Sequence, residues 1–473
     1  MNFKRIMCLI IALVCAAAVM TSCKDEKKKG KNSDIFTNAD LSYLDHIEIE
    51  DMDGYNFRML VRPGGGMMED QYVESESGDI ISNAVYRRNE MVKELFNIEI
   101  TAVKSNATKA DDALNTILAG DDQFDIILPH SRAAFSYAVQ NTLVNFNDIK
   151  TIDMSKEWWS KDIIDSASIN GYLYVLDGDI QTHRLEYAFA MYFNKRIFDE
   201  LGLDYPYQMA IDGTWTFDAF SKLVKQGAKD LNGDGLMNPG DDQYGYYTWP
   251  AYGPIEVLYS GGQRIYAKNS KGVPELTLNS NKTVEIFSKY FALCKSEDVY
   301  LKPSAVSVKE DLFTAGRAMF ADKDLGSAKG MRSMNDDFGI LPWPKFSDND
   351  EYKTVINGHA SLLVMPITVK DPDKSGKIIE ALCAVGNKNV IPAFYDVSLK
   401  TKFSRDYESE AMIDIIRNSL IYDLGYISGG TFQSCGSTLA DLSNPDFASY
   451  YAANESRALS DLDNFLSSYG KIN

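Results

Sequence analysis

The sequence predicts an α/β fold, with largely parallel sheet covered by helices, in a chain large enough for two domains. Two stretches carry the fold class. "ISNAVYRRNEMVKELFNIEI" places Val85, Met91, Val92, Leu95 and Phe96 at helical spacing, then alternates Ile98 and Ile100 as a strand. "ALNTILAGDDQFDIILP" repeats the pattern: a helix, an acidic turn and the apolar strand Phe124 to Leu128. Strands alternating with helices imply parallel pairing. The size follows from 473 residues, 45% hydrophobic and 24% charged, which is enough apolar material for two cores.

Residues 1 to 22 form an expected secretion signal. Lys4 and Arg5 precede an apolar run of about fifteen residues, shorter than the roughly 20 that span a bilayer. Small residues then lead to Cys23, and "VMTSC" resembles a bacterial lipobox, in which that cysteine becomes the lipid-bearing first residue. Residues 23 to 40, in which KDEKKKGKNSD follows Cys23, are too charged to bury themselves and read as a flexible tether. Loss of the two signal cations takes the net charge from −19 to −21, which repels phosphate backbones and excludes nucleic acid as a partner. Cys294, Cys383 and Cys435 then remain, too few and too scattered for a disulfide framework or a zinc site, though one bridge is open.

Folded chain begins near Leu41. "YNFRMLVRPGGG" gives a strand over 55 to 61 and a glycine turn, with no Lys-Ser/Thr to complete a phosphate loop. Ligands of α/β sheets bind beyond the carboxyl ends of strands, and His130, Ser131 and Arg132 follow such an end. "INGYLYVLDGDI" is a hairpin-like or extended segment ending in Asp177 and Asp179. "EYAFAMYFNKRIFDELGL" is a strand entering a helix that Gly202 stops. Thr216 caps the next helix, with Trp215 and Phe220 placed for a hydrophobic staple.

"DLNGDGLMNPGDD" puts Asp230, Asn232 and Asp234 at positions 1, 3 and 5 of a calcium loop. Gly235 takes the turn, Leu236 offers position 7, Asn238 position 9 and Asp241 position 12. Aromatic residues, glycine and proline follow where a second EF-hand helix would stand. The expectation is therefore a structural Ca2+ clip rather than a switch, since one helix has nothing to open against. A metal-free acidic turn is the alternative.

In their order along the chain, these motifs resemble the extracellular solute-binding proteins of sugar-type ABC importers, the maltose-binding-protein-like family, in lipoprotein form. The lipobox, "FDIILPHSR", "YAFAMYFNKRIFDELGL", "GTWTFDAFSKLVK", "DLNGDG", "FTAGRAMF", "FGILPWPK" and "AFYDVSLKTKFSRDYESEAMIDII" carry the resemblance. It implies a two-lobed periplasmic-binding-protein-like fold of type II, with a hinge and an interlobe cleft. Lobe 1 would be 41 to 185 plus 342 to 395, and lobe 2 would be 186 to 341 plus 396 to 473.

The resemblance further implies a protein that is not an enzyme. It would be a monomer, lipid-anchored at the extracellular face of the bacterial cytoplasmic membrane, closing on a sugar or oligosaccharide and delivering it to permease subunits. A sugar needs flat aromatic faces and polar partners for its hydroxyls. The candidates are His130, Ser131, Arg132, Asp179 and Tyr187 from lobe 1 and the hinge, and Trp249, Tyr252, Asp324 and Trp343 from lobe 2. Arg132 and Asp179 are equally compatible with plain ion pairs, and Trp249 and Trp343 with core packing.

Two rivals remain. A lipid-anchored glycoside hydrolase would need carboxylates flanking the scissile bond, whereas Asp177 and Asp179 share one extended segment. Nor does the chain contain HExxH, GxSxG or CxxC, and its histidines 46, 130, 183 and 359 are dispersed. A solute-sensing surface lipoprotein would keep the fold and change the task.

Overall fold

The computed structural model describes residues 40–470 apart from 65–66, 307–310, 332 and 401–406. The expected signal, Cys23 and all of the tether but Asp40 lie outside the described residues. The chain divides into two units, Met1–His46 and Ile47–Asn473. In the first, a 3-10 turn spans Ser42–Leu44, where the Ser42 N–H donates to Asp40 Oδ1 at 3.0 Å. All elements below belong to the second.

The first sheet is parallel, as the alternation predicts. β1 (Tyr55–Val61) lies between β2 (Ile98–Lys104) and β3 (Ile126–Leu128), with Phe57 opposite Ile100 and Val61 opposite Leu128. The helix α1 (Ile80–Phe96) joins β1 to β2. Asp79 caps it by accepting the Ser82 N–H at 2.9 Å, and Asn97 ends it in the left-handed region at φ 49°. Its buried face, including Val85, Met91, Val92 and Phe96, is the one the spacing predicts. β3 runs into α2 (Ser131–Ala138).

The second sheet has five strands. β4 (Phe189–Asn194) enters α3 (Lys195–Leu201), which Gly202 ends at φ 65°. Then come α4 (Phe217–Gly227), β5 (Tyr244–Thr248), α5 (Gly253–Ser260), β6 (Val299–Leu301), β7 (Ala318–Asp324) and β8 (Phe338–Leu341), in the spatial order β8-β4-β7-β5-β6. Thr216 Oγ1 accepts the Ala219 N–H at 3.3 Å to cap α4, and the Trp215 and Phe220 rings meet edge to face at 5.9 Å, which is the expected staple.

One pairing departs from the parallel expectation. β4 runs antiparallel to both β7 and β8, while β5 is parallel to β6 and β7. Short right-handed crossovers enforce parallel pairing. β4 is separated from β7 by the whole of residues 195–317 and escapes that rule.

The two sheets are linked where two segments run side by side. Ala188 bridges Ile356, and the Asn357 N–H donates to the Tyr187 carbonyl at 2.8 Å. Residues 343 to 346 still pack on the second sheet, with Lys345 bridging Thr216 and Phe346 stacking on Phe217. The chain then reaches the first sheet, where Val364 bridges Ile127 and Ser361 bridges His130. The last helix, Phe447–Ser468, touches both sides: Phe447 stacks on Phe287 and Phe465 meets Phe135. Cys294, Cys383 and Cys435 are free thiols. No helix among the described residues is long and apolar enough to cross a membrane.

Candidate ligand-binding site

Asp324 ends β7 and forms the polar centre of the site. Its Oδ1 accepts from Asn357 Nδ2 at 3.2 Å and its Oδ2 from the Tyr252 hydroxyl at 3.3 Å. Burial pushes this carboxyl up to about 7. The Tyr252 ring stands edge to face with both Phe189 and Trp249, at 5.6 and 5.9 Å. Trp249 is 38% exposed, whereas the other four tryptophans are 3% exposed or less, so it alone among them offers a face outward. Its Nε1 donates to the Tyr247 hydroxyl at 3.0 Å, and Lys302 Nζ lies 4.1 Å from its ring centre.

The first sheet contributes basic and hydroxyl groups. His130 caps α2: its Nδ1 accepts the Arg132 N–H at 3.2 Å, so that nitrogen carries no proton. Burial lowers its pKa to about 3, with the Arg62 charge adding to the effect, and lowers that of His359, whose ring lies 5.2 Å away. Both imidazoles are neutral at neutral pH. Ser131 Oγ donates to the Gly358 carbonyl at 2.6 Å. Arg62, just past β1, donates through Nε to the Thr108 carbonyl and through Nη1 to that of His359. Tyr187 interacts electrostatically with Arg62 and Asp324, and the buried Tyr426 with Arg132 and Asp324.

Seven sequence-predicted residues therefore belong to one connected group: His130, Ser131, Arg132, Tyr187, Trp249, Tyr252 and Asp324. Two do not. Asp179 is fully buried, with one oxygen paired to Arg184 and the other accepting from Asn387 Nδ2 at 2.8 Å, so it forms an interior ion pair. Trp343 is 1% exposed among Phe220 and Tyr246, in the aromatic core beside the second sheet. Arg62, Lys302, Asn357, His359 and Tyr426 join the group without having been expected. Arg62 had a sequence signal, its place at a strand's carboxyl end; Asn357, His359 and Tyr426 arrive on return segments that carry no motif.

The acidic loop bridges helix α4 and strand β5, as expected. Asp230 accepts the N–H groups of Gly233 and Gly235 at 2.6 and 2.8 Å, Asn232 that of Asp234, Asp234 that of Leu236 and Asn238 that of Gly240. Gly233 and Gly235 sit at positive φ, which allows the chain to wrap. Asp242, rather than the exposed Asp241, closes the neck by accepting from Leu231 and Asn238. The donors are carboxylate and amide oxygens, which suit calcium. Among the described residues, however, no three His, Cys, Asp or Glu side chains stand ready to hold a metal.

No known family profile matches the chain, and no curated protein matches it. Solved structures do. UspC of M. tuberculosis is 14% identical with a TM-score of 0.59, over 86% of this chain and 99% of that one. An ABC transporter solute-binding protein from Thermotoga lettingae, bound with α-D-tagatose, is 14% identical with a TM-score of 0.54, over 87% and 100%. A cyclo/maltodextrin-binding protein complexed with maltotetraose is 13% identical with a TM-score of 0.54, over 89% and 97%. The fold is that of the solute-binding proteins of ABC transporters: two-lobed, periplasmic-binding-protein-like and α/β.

Proposed function

We propose that this chain is an extracellular substrate-binding lipoprotein of an ABC importer, capturing a sugar or oligosaccharide by lobe closure and delivering it to a membrane permease. The observation that carries this reading is the outward-facing Trp249 beside Tyr252, next to the hydrogen-bonded Asp324 and Asn357. An aromatic face matches the C–H side of a sugar ring, and the polar pair matches its hydroxyls. Around them, Arg62, His130, Ser131, Arg132 and Tyr187 come from the other sheet and the crossing segment. A solute touching both sides favours a closed form by its differential affinity. Lipidation at Cys23 would hold the protein at the membrane surface.

Binding rather than catalysis is also supported by the state of the suspected carboxylate pair. Asp177 is buried against the Tyr422 hydroxyl and Gln181, and Asp179 against Arg184, so neither flanks a substrate. Calorimetry against a panel of mono- and oligosaccharides tests the reading. A ligand should bind intact, and Trp249→Ala should weaken it by about tenfold or more, the scale of losing a large aromatic anchor, with the melting midpoint little changed. Release of shorter sugars during the titration would favour the hydrolase instead.

We also propose that calcium binds the loop formed by Asp230, Asn232, Asp234, Leu236, Asn238 and Asp241. Millimolar CaCl2 should then raise the melting midpoint, because an ion that binds only the folded state stabilises it by mass action, and a chelator should reverse the rise. Equal midpoints in the two conditions would leave the loop to its own hydrogen bonds.

A further inference from the structure

Three cations stand in the site without a counter-charge. Among the described residues, no carboxylate pairs with Arg62, Arg132 or Lys302, and two of these three cations are buried. Arg62 is 7% exposed and Lys302 9%. Arg62 meets only carbonyls and the Ser361 hydroxyl. The buried Nε of Arg132 has no hydrogen-bond partner, and burial lowers the pKa of both arginines below the ordinary value. Asp324 is the one carboxylate of the group, and it is already engaged by Tyr252 and Asn357. An unpaired buried charge is costly, so native proteins pair it or keep it for a ligand.

Resting on the saccharide reading above, we propose that the ligand is an anionic saccharide, whose carboxylate or ester-linked sulfate or phosphate group is taken by Arg132 and Arg62, with Lys302 near Trp249. A guanidinium offers a planar fork that matches such oxyanions with two parallel hydrogen bonds. The overall charge of −19 makes the contrast sharper, since a local excess of positive charge in an acidic protein selects the anion-bearing member of a set of similar sugars.

The test titrates the full-length protein with matched probes: neutral galactose oligomers, galacturonate oligomers of the same length, and the same neutral oligomers carrying a sulfate or a phosphate ester. The expected result is that one charged series binds at least about thirtyfold more tightly than the neutral one and weakens as salt rises. The carboxylate, sulfate and phosphate arms say which anion is read. Arg132→Gln should cost the charged series about tenfold or more in affinity beyond whatever it costs the neutral series; Lys302→Gln, just past the end of β6, provides a second variant should the first fail to fold. Equal or tighter binding of the neutral series overturns the inference and leaves the saccharide reading standing. Binding by none of the four series, with other saccharides equally inert in the panel above, overturns both.

Discussion

Asp179→Ala should lower the unfolding free energy by about 3–5 kcal/mol, the cost of removing one partner of a buried ion pair. The Arg184 guanidinium is buried; burial opposes its charge, and Asp179, followed by Asp177, overcomes that so that its pKa stays above the ordinary value. Without Asp179 a buried cation loses its closest counter-charge and Asn387 loses its acceptor. The site is also sterically closed, because a Cβ on Gly386 would lie 1.9 Å from the Asp179 carbonyl, so the segment is wedged against the helix Pro372–Lys400. Replacing the pair together, as Asp179→Leu with Arg184→Met, should cost much less, since no uncompensated charge is left. Urea denaturation of the three proteins provides the measurement. A single-variant loss under about 1 kcal/mol would show that water reaches Arg184 and that the pair is not a closed interior unit.

That residue also shows where sequence reasoning stops. Asp179 and Asp324 are both acidic residues near strand ends, and nothing local distinguishes them. Asp179 is claimed by Arg184, five residues on, and by Asn387, which lies in a helix from the far end of the chain. Trp249 and Trp343 pose the same ambiguity. Trp343 is drawn inside by Phe220 and Tyr246, from a helix and a strand about a hundred positions earlier, while Trp249 stays out because it follows the end of β5.

What is legible is what short-range chemistry dictates. The Thr216 cap, the Gly202 stop, the Trp215–Phe220 staple and the strand-to-helix turn at His130 all depend on neighbours a few residues away. The cations Arg62 and Lys302, by contrast, acquire their meaning from what does not pair with them, which requires the whole fold.

Stability should fall as pH rises from about 5 to about 8, and Asp322→Asn should remove much of that fall. Asp322 and Asp324 lie two apart on β7, so their side chains leave the same face of the strand. Asp322 is 4% exposed; its Oδ2 accepts from Thr248 Oγ1 at 2.9 Å and would lie 2.7 Å from a Cβ on Gly253. Burial is the largest influence on its carboxyl and pushes it from 3.8 up to about 7. The fully buried Glu256 is pushed up by burial as well, with Asp322 adding to the shift.

A raised carboxyl pKa means that the folded state keeps a proton which the unfolded chain releases near pH 4. The stabilising contribution is therefore whole below about pH 4 and is lost as pH climbs to about 7. Holding that proton until about pH 7 rather than 3.8 bounds the Asp322 contribution at about 4 kcal/mol. Asn keeps the shape and an acceptor for Thr248 but cannot ionise, so the variant's unfolding free energy should change less between the two pH values. Parallel profiles for the two proteins would mean that Asp322 titrates as an ordinary carboxylate and that water reaches the inner end of the site beneath Tyr252.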